Sequence, residues 1–113
     1  MVNRGEVWWA DLSEPRGSEP GYARPVLIAQ ANSFNHSRIS TVIAITLSSN
    51  LKLGNAPGNV LLLAKQTGLP KDCVANVSQV ITLDKSYLHD KSGELNVKTM
   101  RLVDDGLRLV LDL

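Results

Sequence analysis

The chain is poor in cysteine, aromatics and net charge. Its single cysteine, Cys73, excludes an internal disulfide, and one thiol makes no metal site. Cys73 lies in an apolar run and reads as a buried structural thiol. The formal net charge of +1 argues against a protein that coats duplex DNA electrostatically, but a small enzyme can still grip a few phosphates locally. No block of five like charges occurs, so there is no basic tail. No segment approaches the roughly 18 apolar residues that a membrane span needs. The first residues, Met1-Val2-Asn3-Arg4-Gly5-Glu6, carry no apolar signal core, which predicts a cytoplasmic protein. No Gly-rich phosphate loop and no Gly-x-Ser-x-Gly elbow are present. His36 and His89 have no second ligand at metal spacing.

What is present fits a single globular domain over residues 1–113. Hydrophobic residues make up 43% and charged residues 20%, ordinary values for such a chain. Glu6 to Leu12 reads as a first strand, rich in aromatic and β-branched residues. Arg24 to Ala31 reads as a second, apolar enough to be buried on both faces. Asn32 to Ser37 is turn-like, and Thr41 to Leu47 is a third strand. Ser48 to Gly58 is a long polar loop, Asn59 to Leu63 a short strand, and Gly68 to Asp72 a turn. Cys73 to Leu83 is a fifth strand, and Asp84 to Leu88 has the length of one helical turn. Leu95, Met100, Val103, Leu107, Val110 and Leu111 then recur at helical spacing, which predicts an amphipathic helix from about Asn96, as N-cap, to Asp112. Gly106 inside it costs about 1 kcal/mol relative to Ala and would let the helix lie close against the sheet. Five short strands closed by one helix predict a mainly β protein with α (α+β), a small, strongly bent antiparallel barrel with a C-terminal amphipathic helix.

Trp8 and Trp9 are adjacent on a strand, so they point to opposite faces. One can fill a core. The other is a candidate interface or stacking surface.

The stretch Gly17-Ser18-Glu19-Pro20-Gly21-Tyr22-Ala23-Arg24-Pro25 is a loop by composition, yet it ends in an arginine at the base of a rigid apolar strand. A fixed guanidinium beside a polar loop suits a phosphate. If the second and third strands are antiparallel neighbours, Arg24 meets Thr46 at one rim, with Ser48 and Ser49 just beyond. A surface salt bridge for Arg24 and an ordinary strand-end role for Thr46 are the structural alternatives.

Arg4-Gly5-Glu6-Val7-Trp8-Trp9-Ala10-Asp11-Leu12, then Gly17-Ser18-Glu19 and Arg24-Pro25-Val26-Leu27, resemble the MazF/PemK family of toxin endoribonucleases. The resemblance continues through Thr41-Val42-Ile43, Ala44-Ile45-Thr46, Gly68-Leu69, Gln79 and Thr82-Leu83-Asp84-Lys85 to the final helix, essentially the whole chain. It implies an SH3-like barrel acting as a homodimer. It implies sequence-specific, metal-independent cleavage of single-stranded RNA to 2′,3′-cyclic phosphate and 5′-hydroxyl ends, without a cofactor. It implies a cognate antitoxin whose disordered C-terminal segment occupies the RNA groove. The family's catalytic arginine falls on Arg24 and its catalytic threonine on Thr46. Its RNA-contacting positions fall on Gly17, Ser18, Glu19 and Gln79, and Ser48 offers a further hydroxyl contact. Residues 17–22 would then select the base beside the cut. Glu19 is a candidate general base or a base-recognition residue.

Two positions depart from the family. Pro20 stands where relatives commonly carry Gln, and Ile81 replaces a frequent Arg, subtracting a positive charge from the groove. Two other readings share the fold. One is a gyrase-binding toxin like CcdB, which depends on a Trp near its C-terminus, whereas this chain ends Leu109-Val110-Leu111-Asp112-Leu113. The other is a degenerate relative that binds RNA or antitoxin without cutting.

Overall fold

The computed structural model describes residues 1–13 and 22–113. Six antiparallel strands form one curled sheet: β1 (Glu6–Ser13), β2 (Tyr22–Ile28), β3 (Thr41–Ser48), β4 (Val60–Leu62), β5 (Cys73–Asp84) and β6 (Leu88–Glu94). Their order is β4-β5-β3-β2-β1-β6. Helix α1 (Asn32–Asn35) follows β2, α2 (Ala64–Thr67) follows β4, and α3 (Val97–Leu111) ends the fold. The curl brings α2, next to edge strand β4, against edge strand β6. There the Ser92 hydroxyl donates to the Thr67 carbonyl at 3.0 Å. Helix α2 thus spans the gap between the two sheet edges.

Strand alternation divides the apolar side chains between the two sheet faces. Val7, Leu27, Ile45, Leu47, Ala75 and Val77 form the larger core with Met100 and Val103 of α3. Ala10, Val26, Ile28, Val42, Ala44 and Leu83 form the smaller one on the opposite face. Trp9 packs against the first and Trp8 against the second, as adjacent strand positions require. Val26, Leu27 and Ile28 are fully buried, so β2 is covered on both faces.

Helix α3 matches its pattern closely. The Asn96 side chain caps it by accepting the Thr99 amide at 2.8 Å. Gly106 rests on Gly58: a Cβ at Gly106 would sit 2.1 Å from the Gly58 carbonyl oxygen. The buried stripe nevertheless ends at about Leu107, and Val110 and Leu111 are exposed.

Other elements differ from the sequence reading. Strand β6 falls in a stretch, His89-Asp90-Lys91-Ser92-Gly93, with no apolar alternation. It is an edge strand paired only with β1, so neither of its faces has to be apolar. The polar stretch after Ala31 is helical at Asn32–Asn35, and the loop after β3 contains a 3-10 helix at Leu51–Asn55. Strand β2 stops at Ile28 rather than Ala31. Both the Ala29 and Gln30 amides converge on the Ile43 carbonyl at 3.1 Å, which breaks the ladder. Asn35 then fixes the turn. Its amide donates to the Gln30 carbonyl at 2.8 Å and its own oxygen accepts from Gln30 Nε2 at 3.0 Å.

Candidate active site

The site begins where two strands part. Val26 pairs with Thr46, and there the β2–β3 ladder ends. The next odd-numbered residue of β2 is Pro25. The odd residues of this strand face β3, as the Ala29 amide does, while the Ile28 carbonyl faces the other way to Gly5. Pro25 has no N–H to offer β3. The strands separate beyond Val26, and Arg24 and Ser48 flank the opening.

Strand β5 supplies the other wall. Ile45 pairs with Val80 and Leu47 with Ala75, so Thr46 alone faces residues 76–79. Such a bulge re-aims side chains. Val77 turns into the main core, while Asn76 and Gln79 line the opening. Asn59 secures this loop-out. Its side-chain oxygen accepts the Val77 amide at 3.0 Å, and its Nδ2 donates to Asn76 Oδ1 at 3.3 Å and to the Leu53 carbonyl at 3.0 Å.

The resulting cleft encloses about 430 Å³. Arg24, Thr46, Ser48 and Gln79 all line it, together with Tyr22 and Asn76. The Thr46 hydroxyl donates to Gln79 Oε1 at 3.4 Å. The Arg24 guanidinium lies over the Tyr22 ring, 4.8 Å from its centroid, and its Nε donates to the Tyr22 hydroxyl. Among the described residues, neither terminal amino group of Arg24 meets an acceptor, and no carboxylate pairs with it. Two such groups form a fork that can donate parallel hydrogen bonds to a phosphate.

Gly17, Ser18 and Glu19, the remaining expected RNA contacts, lie outside the described residues, as does Pro20. Tyr22, expected to belong to a base-selecting loop, is the first residue of β2 and orients Arg24. Asn59 and Asn76 were not singled out in the sequence. The signal was available in Asn59-Val60 and Asn76-Val77, since amides flanking strand residues are what an irregular strand uses to satisfy stray backbone groups. Ile81 packs against the smaller core rather than standing free in the cleft.

The other candidates lie elsewhere. His36 Nε2 is 2.7 Å from Asn3 Oδ1, and His89 lies between Asp11 and Asp90, at 3.5 and 3.1 Å. Neither lines the cleft. Cys73 is buried. Burial first, and the charge of Asp72 second, push its thiol up to about 11. It is a poor nucleophile at neutral pH. Among the described residues no three His, Cys, Asp or Glu side chains converge.

Known proteins resemble this chain in sequence and in fold. The chain is 49% identical over 113 residues to the Endoribonuclease MazF2 of Mycobacterium bovis, covering all of this chain and 99% of that one. It is 36% identical to the Endoribonuclease EndoA of Bacillus subtilis, covering 100% of this chain and 97% of that one. A solved mycobacterial endoribonuclease in complex with its cognate antitoxin superposes with a TM-score of 0.80 at 26% identity, over 100% of this chain and 97% of that one. Residues 3–111 match the pattern of the PemK-like, MazF-like toxins of type II toxin-antitoxin systems, and the chain belongs to that family.

Proposed function

We propose that the protein is a toxin that cleaves single-stranded RNA, mRNA included, at specific sequences and without a metal ion. The observation that carries this reading is Arg24. Its guanidinium is held by Tyr22 with both terminal amino groups uncommitted among the described residues, at an opening shared with the Thr46 hydroxyl. The 49%-identical relative bears the name of an endoribonuclease, which supports the same reading.

RNA carries its own nucleophile. The 2′-hydroxyl oxygen bonds to the adjacent phosphorus as the bond to the 5′ oxygen breaks, giving a 2′,3′-cyclic phosphate and a 5′-hydroxyl. The protein has to align the attack and stabilise the charge that gathers on the phosphoryl oxygens. Arg24 donates two parallel hydrogen bonds to them and Thr46 a third. Gln79 and Asn76 are amides and do not titrate, so they suit base or sugar recognition. The proton leaving the 2′-hydroxyl needs a base, and Glu19 is our candidate. Ser48 adds a hydroxyl at the rim.

A homodimer fits the surface of α3. Leu102 and Leu109 are exposed beside Leu61 of β4, around a depression floored by Gly106. A second copy would cover them and extend the groove across two subunits. An antitoxin with a disordered acidic tail would fill that groove by folding on binding. The mycobacterial endoribonuclease bound to its antitoxin supports such a partner. No helix among the described residues is long and apolar enough to cross a membrane, and we place the toxin in the cytoplasm.

The test is cleavage of a long single-stranded RNA in EDTA by the wild type and by Arg24→Ala. The wild type should cut, and the variant should lose at least about 10²-fold in rate while remaining folded. Full activity in Arg24→Ala would overturn the assignment.

A further inference from the structure

Arg24 borders two cavities. Besides the cleft already described, a second of about 290 Å³ opens on the other side of the sheet, and Arg24 and Leu47 line both. Alternation explains the arrangement. Tyr22, Arg24, Thr46 and Ser48 share one face, while Trp9, Pro25, Leu47 and Ser49 share the other. Trp9 pairs with Pro25 across β1 and β2, so indole and pyrrolidine rings stand side by side. Leu69 and Pro70, in the turn after α2, add to the apolar lining, beside Lys71, Asp72 and Cys73. The walls are mainly apolar and ring-bearing, and the cavity is at the small end of the roughly 300–1,000 Å³ that holds organic ligands.

The geometry points to a nucleobase pocket: given the ribonuclease reading above, this second cavity takes the base of a nucleotide flanking the phosphate held by Arg24. The occupant follows from continuity. A phosphate on Arg24 sits at the rim where the two faces meet, and the base of an adjoining nucleotide is attached to it through one ribose. Every base has a flat π-face, and Trp9 offers the indole for it. Lys71 and Asp72 line the cavity with opposite charges, so the net attraction for the RNA backbone comes from Arg24. An acidic peptide could place an apolar side chain in the pocket and a carboxylate on Arg24, but the ring-bearing walls of Trp9, Pro25 and Pro70 match a flat base better, and the experiment separates the two.

Trp9 is therefore a specificity-determining residue outside the cleft that holds Thr46 and Gln79. The strand gives it no freedom to reach that cleft, because it points to the opposite face.

The experiment maps cut sites in a long single-stranded RNA of mixed sequence for the wild type, Trp9→Ala, Trp9→Phe and Ser49→Trp. Trp9→Ala removes the stacking wall. Trp9→Phe keeps an aromatic face. Ser49→Trp, at an exposed rim position, fills the cavity without removing core. We expect Trp9→Ala and Ser49→Trp to lose about 5- to 100-fold in kcat/KM at the preferred sites and to relax preference at one base beside the cut, with Trp9→Phe close to the wild type. Thermal melts identify unfolding, and Ser49→Trp carries the test if Trp9→Ala does not fold. A wild type that cuts, with an unchanged site spectrum and rate in Ser49→Trp and in folded Trp9→Ala, overturns the pocket and leaves the ribonuclease standing. Unchanged cutting with weakened binding of an acidic antitoxin peptide overturns the nucleobase in favour of the peptide. A wild type that cuts no RNA overturns the ribonuclease reading and the pocket with it.

Discussion

The Asn59 side-chain oxygen accepts the Val77 amide proton at 3.0 Å, across 18 residues of sequence. That amide belongs to the looped-out part of β5, where the ladder offers no partner. Asn59→Ala leaves it unsatisfied, at a cost of roughly 1–3 kcal/mol. It also frees the segment that carries Asn76 and Gln79. We expect RNA cleavage to fall about tenfold or more at temperatures where the variant is still folded, with Asn59→Asp, which keeps the acceptor, less affected. Rates measured beside circular-dichroism melts decide between the two effects. Full activity with a lowered Tm would show that the bulge serves stability alone.

Thr46→Val removes one hydroxyl and little volume. If that hydroxyl stabilises charge on the phosphoryl oxygens, kcat falls about 10²-fold with little change in KM. Thr46→Ser should retain most of the rate. Single-turnover cleavage of a short RNA containing one cut site separates the two variants.

Glu6 links acid stability to the first strand. Burial opposes its ionisation, but hydrogen bonds from Trp8, from Asn3 and from Lys91 outweigh it and hold its carboxyl below the ordinary 4.5. The folded state therefore binds this proton less readily than the unfolded chain. The stabilisation is complete above about pH 4.5 and is lost as pH falls through the lowered value. Glu6→Gln should cost roughly 1–3 kcal/mol at neutral pH and flatten the fall in Tm below that pH. A Glu6→Gln melting profile from pH 3 to 7 that parallels the wild type would refute this.

Gly106→Ala tests the docking of α3. Alanine favours an isolated helix by about 1 kcal/mol. Here its methyl would meet the Gly58 carbonyl at 2.1 Å, and both are backbone-bound. Overpacking of roughly 1–3 kcal/mol should win, lowering Tm by about 5–15 °C. A raised Tm would mean that the helix can shift away at no cost.

Much of this was legible in the sequence. Strands β1, β2, β3 and β5 announce themselves through Val, Ile, Trp and Leu, because buried strands must be apolar. The Arg24–Thr46 neighbourhood followed from antiparallel pairing alone. Strand β6 was illegible for the converse reason: His89, Asp90 and Lys91 sit on an edge that faces solvent. Helix α2 is only four residues long, too short for any period to show. Its amide capping, Gln66 Oε1 accepting the Leu63 N–H at 2.8 Å, appears only in three dimensions. Tyr22 looked like part of a loop because Gly21 and Pro20 precede it. Its bond to Arg24 needed the strand to place residues two apart on one face. The extra residues of β5 leave only a faint mark: Asn76, a residue type depleted in strands, interrupts the apolar run, while Ser78 and Gln79 are ordinary on an exposed strand face.

The end of the β2–β3 ladder at Val26, adjacent to Pro25, ties the proposed chemistry to strand register. Moving β2 by a single residue against β3 would exchange Arg24 for Pro25 at the cleft and put the guanidinium against Trp9. A newly made chain trapped in that state could retain many of its backbone bonds while presenting a proline ring to the phosphate. Cleavage would then be withheld until the sheet is correctly aligned, so the proposed activity depends on the register of a single strand pair.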